Sequence, residues 1–259
     1  MVFVRGAELA ITDIGDGPAV LYGHGLSSSR AQDAASRMFD WERLASRRRV
    51  VRWDARGHGD SSGTGGSDSY RWDNLGQDLL ALADALRIDR FTAGGVSMGA
   101  ATALHAAVAA PDRVAALVLV LAPTAYETRA AQGDLYEAGA DIVETRGMDA
   151  YVELLRTSPV PEILEELADL YRQVPAVSEP LLPAVLRGAA ASDLPDPVDV
   201  RGITAPTLLL AWETDPGHPV STAERLAELL PDTELYVARE LRDLASWTDR
   251  LEAFLDART

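Results

Sequence analysis

The stretch Gly94-Gly95-Val96-Ser97-Met98-Gly99 decides how the rest of the chain is read. A serine with glycines two residues before and two residues after it has the sequence form of a nucleophile elbow, a sharp turn between a strand and a helix. Side chains around such a turn must be absent or short, and Ala100 and Ala101 continue the small-residue run. Residues 91–93 (FTA) lead in as a strand, and residues 98–109 follow as an Ala-rich helical pattern. The turn exposes the serine hydroxyl and aims the first N–H groups of the helix at a reacting oxygen. A serine nucleophile normally hands its proton to an imidazole. The chain has only four candidates, His24, His58, His105 and His218.

Working outward, short apolar runs recur at residues 19–22 (AVLY), 49–53 (RVVRW), 115–121 (AALVLVL) and 206–212 (PTLLLAW), with 234–238 a last strand. Short runs rich in apolar residues suit buried parallel strands. Helical patterns separate them. Residues 74–86 place Leu75, Leu79, Leu82 and Leu86 on one face, with Asp73 as the expected N-cap. Residues 221–230 form another helix, and residues 241–255 read as one closing helix. This strand–helix alternation predicts an α/β fold with a mostly parallel central sheet and helices on both faces. Residues 124–200 break the alternation: they are helical in pattern, interrupted by Pro159, Pro161, Pro175, Pro180 and Pro183, with no strand. We therefore expect a core of residues 1–123 and 204–259, with residues 124–203 inserted before a late strand as a helical lid.

Bulk properties exclude other classes. The 259 residues suit one large domain or a core with an insertion, and 47% hydrophobic with 25% charged residues fits a globular protein with a sizeable core. No apolar run approaches the roughly 20 residues of a membrane span, and the N-terminus lacks the pattern of a signal peptide, which favours the cytoplasm. The net charge of −16 repels phosphate backbones and anionic lipid, so neither nucleic acid nor membrane is an expected partner. With no Cys and no HExxH-like histidine set, no metal site is expected, and no GxGxxG follows a strand, so no dinucleotide cofactor is expected. A small-molecule substrate remains, and a homodimer is left open.

Three motifs in order, GDGPAVLYGHG at 15–25, DARGHGDSS at 54–62 and GGVSMG at 94–99, together with PTLLLAWETDPGHP at 206–219, resemble the α/β-hydrolase family nearly from end to end. The resemblance implies that fold, and it assigns roles by position. Ser97 matches the nucleophile. The N–H groups of Leu26 and Met98 match the oxyanion hole. Asp215 matches the acid, with Glu213 its nearest rival. His24 and Gly25 match a buried support beside the oxyanion loop, and Trp212 stands just before the acid, near the pocket. Asp54, Arg56 and His58 match a structural loop motif, and His105, inside the helix after Ser97, reads as a packing residue.

One departure stands out. The family carries its base on a loop after the last strand, commonly as GxGH. Here the corresponding segment, YVARELRDLASWTDRLEAFL at 236–255, has no histidine and leaves little room for the loop. Three readings follow. The base has moved to His218, three residues after Asp215, in an atypical triad of an enzyme acting on an ester, lactone or related carbonyl compound. Alternatively, the chain is a lyase, cyclase or isomerase in which Ser97 only donates a hydrogen bond. Or it is a non-catalytic binding relative. Trp41, Tyr70, Trp72, Tyr126, Tyr136 and Tyr151 are the aromatic candidates for a pocket wall.

Overall fold

The computed structural model describes residues 1–168, 172 and 174–259; the part of the expected helical segment at 169–171 and 173 lies outside them. The chain opens with β1 (Val2–Val4) and β2 (Ala7–Leu9), an antiparallel pair joined by Arg5-Gly6, both at positive φ. That is the two-residue hairpin whose twist matches its strands. A seven-stranded sheet follows: β3 (Ile11–Ile14), β4 (Ala19–Gly23), β5 (Arg49–Trp53), β6 (Phe91–Val96), β7 (Val114–Val120), β8 (Thr207–Trp212) and β9 (Thr233–Ala238). Its spatial order is β3-β5-β4-β6-β7-β8-β9, and only the edge strand β3 runs antiparallel. The mostly parallel α/β architecture read from the apolar runs is therefore what the chain adopts.

The strand residues alternate between two cores. In β7, Val114, Leu117 and Leu119 face one cluster, while Ala116, Val118 and Val120 face the other. After β4 come α1 (Arg30–Ala35) and α2 (Trp41–Ala45); after β5 comes α3 (Trp72–Ala85), and after β6 comes α4 (Met98–Ala109). Helices α3 and α4 supply the first core, and α2 closes the second with Trp41 and Leu44. Between β7 and β8 lie α5 (Arg129–Arg146), α6 (Met148–Thr157), α7 (Leu182–Ala190) and α8 (Pro197–Arg201). Helices α5 and α7 share their own apolar cluster, with Val143, Tyr151 and Leu186 buried in it. Val200 of α8 instead joins the core that α4 lines. The backbone of this segment is tied to the core where Ala176 N–H donates to Ser27 O at 2.7 Å and Gly59 N–H donates to Ala176 O at 2.7 Å. The chain ends with α9 (Val220–Leu229), α10 (Leu241–Leu244) and α11 (Trp247–Arg258).

Three expectations change. Helix α3 starts at Trp72 with Arg71 as its N-cap, so Asp73 lies within the first turn, where its negative charge still suits the helix dipole. The closing helix is two helices, broken at Ala245 and Ser246, where Ser246 N–H and side chain both turn back to Asp243 O. The three N-terminal strands are additional to those read from the sequence. No helix of the described residues is long and apolar enough to cross a membrane.

Two glycines set a tight backbone contact at the elbow. A Cβ on Gly95 would stand 2.7 Å from both Gly23 O and Gly99 Cα, and one on Gly99 would collide with the Gly23 carbonyl itself. The elbow and the end of β4 thus meet backbone to backbone. We predict that Gly99→Ala lowers stability by about 3 kcal/mol, the upper end of overpacking costs; an unfolding midpoint within error of the parent would contradict this packing.

Candidate active site

Ser97 sits between β6 and α4 at φ 54° and ψ −113°, a conformation that an L-residue enters at an order of 1–3 kcal/mol. Its N–H donates to Val120 O at 2.9 Å, which pins the elbow to the end of β7. Gly25 lies against it: a Cβ there would be 3.7 Å from Ser97 Cβ. Among the described residues neither the N–H of Leu26 nor that of Met98 finds an acceptor, and Met98 is the first residue of α4. Two donors thus remain beside the serine, one on each side of the turn.

The four residues after Thr214 form a single turn. His218 N–H donates to Asp215 O at 3.2 Å, closing a β-turn with Pro216 and Gly217 at its centre. Asp215 Oδ1 accepts from Gly217 N–H at 2.9 Å, an Asx turn inside the first. Asp215 Oδ2 accepts from Trp212 Nε1 at 2.9 Å and from His218 Nδ1 at 2.8 Å. His218 Nε2 lies 2.9 Å from Ser97 Oγ. With Nδ1 donating to the carboxylate, Nε2 is the lone-pair nitrogen and the serine hydroxyl donates to it. The turn is held at the right height because Thr124 N–H, just past β7, donates to Gly217 O at 3.2 Å.

Asp215 is buried, which alone would raise its pKa, but hydrogen bonds from His218, Trp212 and Gly217 outweigh burial and hold the carboxyl below its usual range. It stays ionised at neutral pH and holds the imidazole in one tautomer. Glu213, the rival acid, is half-exposed and pairs with Arg239 at 3.3 Å. No base stands after the last strand. Only Arg239 and Glu240 separate β9 from α10, and both of their N–H groups donate to Asp243 Oδ2, at 2.9 and 3.2 Å.

The other histidines are structural in their contacts. His24 is buried; Ala55 N–H donates to its Nε2 at 3.0 Å, so Nδ1 carries the proton and donates to Gly25 O at 2.8 Å. Burial takes its pKa down to about 4, so it ties the loop at Gly25 to the loop after β5 as a neutral ring. His58 is buried beside it, ring centroids 5.1 Å apart, with Nδ1 donating to Arg56 O at 2.9 Å. Burial, then His24, brings it down to about 3. Asp54 receives Arg30 and Asp60 N–H groups, and Arg56 grips Asp78 at 2.6 and 2.7 Å. His105 faces Asp193 O at 2.9 Å on the far side of α4.

Above Ser97 and His218 lies a cavity of about 560 Å³. Tyr136, Tyr151 and Trp212 line it; Trp41, Tyr70, Trp72 and Tyr126 do not. Trp41 packs on Tyr22 and Phe39, Trp72 lies under Arg129, Tyr70 closes over Thr64, and Tyr126 donates to Pro195 O. Two polar residues of the wall, Asp33 and Gln132, carried no signal in the sequence. Each sits in a helix whose local pattern resembles an ordinary solvated face.

Residues 18–137 match the alpha/beta hydrolase fold family. The chain is 30% identical over 196 residues to 3-oxoadipate enol-lactonase 2 of Acinetobacter baylyi, covering 73% of this chain and 69% of that protein. The chain belongs to the α/β-hydrolase family. In three dimensions this α/β-hydrolase resembles the enol-lactonase of Burkholderia xenovorans LB400 with a TM-score of 0.83, at 22% identity and 98% coverage of both chains. It also resembles a thermophilic esterase of Thermogutta terrifontis, solved with malate bound, with a TM-score of 0.76 at 26% identity, covering 97% of this chain and 92% of that one.

Titration of the buried groups sets an acid limit. His24 and His58, at about 4 and about 3 against an ordinary 6.5, refuse protons that the unfolded chain accepts. Their contribution to stability is complete above pH 6.5 and is lost as pH falls from there. Asp33 acts oppositely: burial pushes it up to about 7 from 3.8, so acidification through that window favours the folded chain. His105, also lowered by burial, acts with the two histidines, so the balance leaves at least about one proton, or roughly 1.4 kcal/mol per pH unit at the steepest. We predict a urea midpoint that drops clearly between pH 6.5 and pH 4.5; a flat profile would contradict the buried neutral histidines.

Proposed function

We propose that this chain is a serine hydrolase of small carboxylic esters or lactones, with its base relocated to the turn that carries its acid. The observation that carries the reading is the unbroken hydrogen-bond path from Asp215 through His218 to Ser97 at the floor of the cavity. A path of this kind, carboxylate to Nδ1 and Nε2 to hydroxyl, is what nucleophilic catalysis by serine requires. The enol-lactonase and esterase names among its relatives support the substrate class. The cavity volume of about 560 Å³ suits a small molecule.

In this mechanism Ser97 Oγ attacks the carbonyl carbon while its proton passes to His218 Nε2. The N–H groups of Leu26 and Met98 stabilise the negative oxygen that forms. His218 then gives the proton to the leaving alkoxide as the carbon–oxygen bond breaks, and an acyl-serine remains. Water attacks that ester, losing its proton to His218, and the acid leaves as Ser97 recovers its hydrogen. Asp215 stabilises the imidazolium in both steps and never takes the proton. Residues 124–203 act as the lid, with Tyr136, Tyr151, Leu155 and Leu164 over the acyl site. The reaction draws on no cofactor.

Intact-mass labelling with a fluorophosphonate tests this directly. We expect a single adduct on Ser97, none on Ser97→Ala, and labelling at least a thousandfold slower on His218→Ala. Asp215→Asn should lower ester turnover by about 10⁴-fold while leaving the fold intact. Equal labelling rates for the parent and His218→Ala would overturn the relocated base.

A further inference from the structure

Peptide planarity couples the two ends of each backbone unit. In a trans peptide the C=O and the next residue's N–H point in opposite directions, so whatever grips the carbonyl aims the N–H. The N–H of Leu26, the proposed oxyanion donor, shares its unit with Gly25 C=O. That carbonyl accepts two hydrogen bonds, from His24 Nδ1 at 2.8 Å and from Ser28 N–H at 3.1 Å, which fills both of its lone pairs. The Ser28 N–H in turn shares its unit with Ser27 C=O, and Ser27 O accepts from Ala176 N–H at 2.7 Å. An uninterrupted series of peptide units therefore runs from Ala176, in the inserted segment, through Ser27-Ser28 and Gly25-Leu26 to the side of Ser97.

The turn that this series crosses is not relaxed on its own. Residues Gly25 to Ser28 form a β-turn closed by the Ser28–Gly25 bond, and its third residue, Ser27, takes φ 59°. Glycine or asparagine is the usual occupant of that slot, because a Cβ is strained there. The segment that supplies Ala176 is itself anchored. Gly59 N–H donates to Ala176 O at 2.7 Å, Val177 pairs antiparallel with His58, and Gln32 Nε2 on α1 donates to Val174 O at 2.9 Å. Residues 174–177 thus form a strap held by α1 and by the loop after β5, and Ala176 N–H is its bond to the oxyanion turn. Hydrogen bonds in series strengthen one another, since each carbonyl that accepts makes the N–H of its own unit a better donor. The Leu26 N–H ends the series, with no acceptor among the described residues.

We propose that Ala176 is a positioning residue of the oxyanion hole: its N–H, acting through Ser27-Ser28 and Gly25, sets the direction and donor strength of the Leu26 N–H. The assignment rests on the serine-hydrolase reading and extends it from the core to the inserted segment. It separates two duties of that segment. Residues that only cover the site bind substrate and transition state alike, whereas a bond that aims an oxyanion donor acts once negative charge forms on the oxygen. Loss of the first raises KM; loss of the second lowers kcat.

The test removes that N–H in two ways: by Ala176→Pro, and in a chain carrying lactate in place of Ala176, whose ester link deletes the N–H and keeps the shape. Turnover of 4-nitrophenyl butyrate is measured beside inhibition by butylboronic acid, whose tetrahedral adduct on Ser97 places a hydroxyl where the oxyanion forms. Deleting an oxyanion donor outright costs about a hundred- to a thousandfold in kcat. Misaiming one should lower kcat about tenfold or more, with KM within about twofold of the parent and the boronate Ki raised as far as kcat falls. A raised KM with kcat and Ki unchanged, in either folded variant, marks a covering contact only and overturns the proposal, as does parental behaviour throughout. If Ala176→Pro does not fold, the lactate chain decides alone. A parent that neither turns over the ester nor binds the boronate overturns the hydrolase reading, and this assignment with it; an active parent with unaffected variants overturns the role of Ala176 alone.

Discussion

The carboxyl end of β7 is the ruler on which the site is measured. On one side its Val120 carbonyl takes the N–H of Ser97; on the other, Thr124, just beyond the strand, gives its N–H to the carbonyl of Gly217. These two bonds fix the elbow after β6 and the turn after β8 to one frame. Strands two apart in a parallel sheet stand about 10 Å from each other, a gap that a serine and an imidazole can close only if both turns lean inward. The glycines at 23, 95 and 99 let the elbow sink onto the end of β4, and the strained backbone of Ser97 is the local cost of that approach.

The proposed acid and base then come as one unit. In the family's usual arrangement they sit on different loops, and their alignment depends on how two segments pack. Here Asp215 and His218 are the first and last residues of one β-turn, and the aspartate binds the turn's own backbone as well as the imidazole. Trp212 holds the same carboxylate from below, and its ring stacks on Trp247 at 6.0 Å, in the core. Every bond that keeps the carboxylate ionised also orients the histidine. The arrangement needs few residues, Asp-Pro-Gly-His, because the turn chemistry of proline and glycine does the positioning that a long loop does elsewhere.

Legibility in the sequence followed burial. Strands β4 to β8 are enclosed on both faces and stood out as apolar runs. The first three strands are short, at the edge, and carry charged residues such as Glu8 and Asp13, so no run marks them. The break between α10 and α11 was illegible because the apolar spacing continues across it; it arises from Ser246 bonding back to Asp243. At the site, Ser97 announced itself through its glycines. The pairing of His218 with both Asp215 and Ser97 was not contained in the spacing, since three residues can lie on a helix, a turn or a strand; the deciding facts are the Thr124 and Trp212 bonds, made by residues distant from His218 in sequence or on another element. Asp33 had no signal, because what buries it stands on other elements, Arg52 of β5 among them, and not on its own helix.

The absent loop and the residues that line the cavity are linked through one short connection. Where β9 passes into α10 through Arg239 and Glu240 alone, that connection offers no histidine, and the proposed base stands elsewhere. Leu241 and Leu244, just beyond that short connection, line the cavity together with Met38. In the proposed mechanism, therefore, moving the base alters more than the path of a proton: it also changes which residues stand beside the nucleophile. On the proposed reading, the length of this single connection bears both on where the base stands and on what lines the cavity beside the serine.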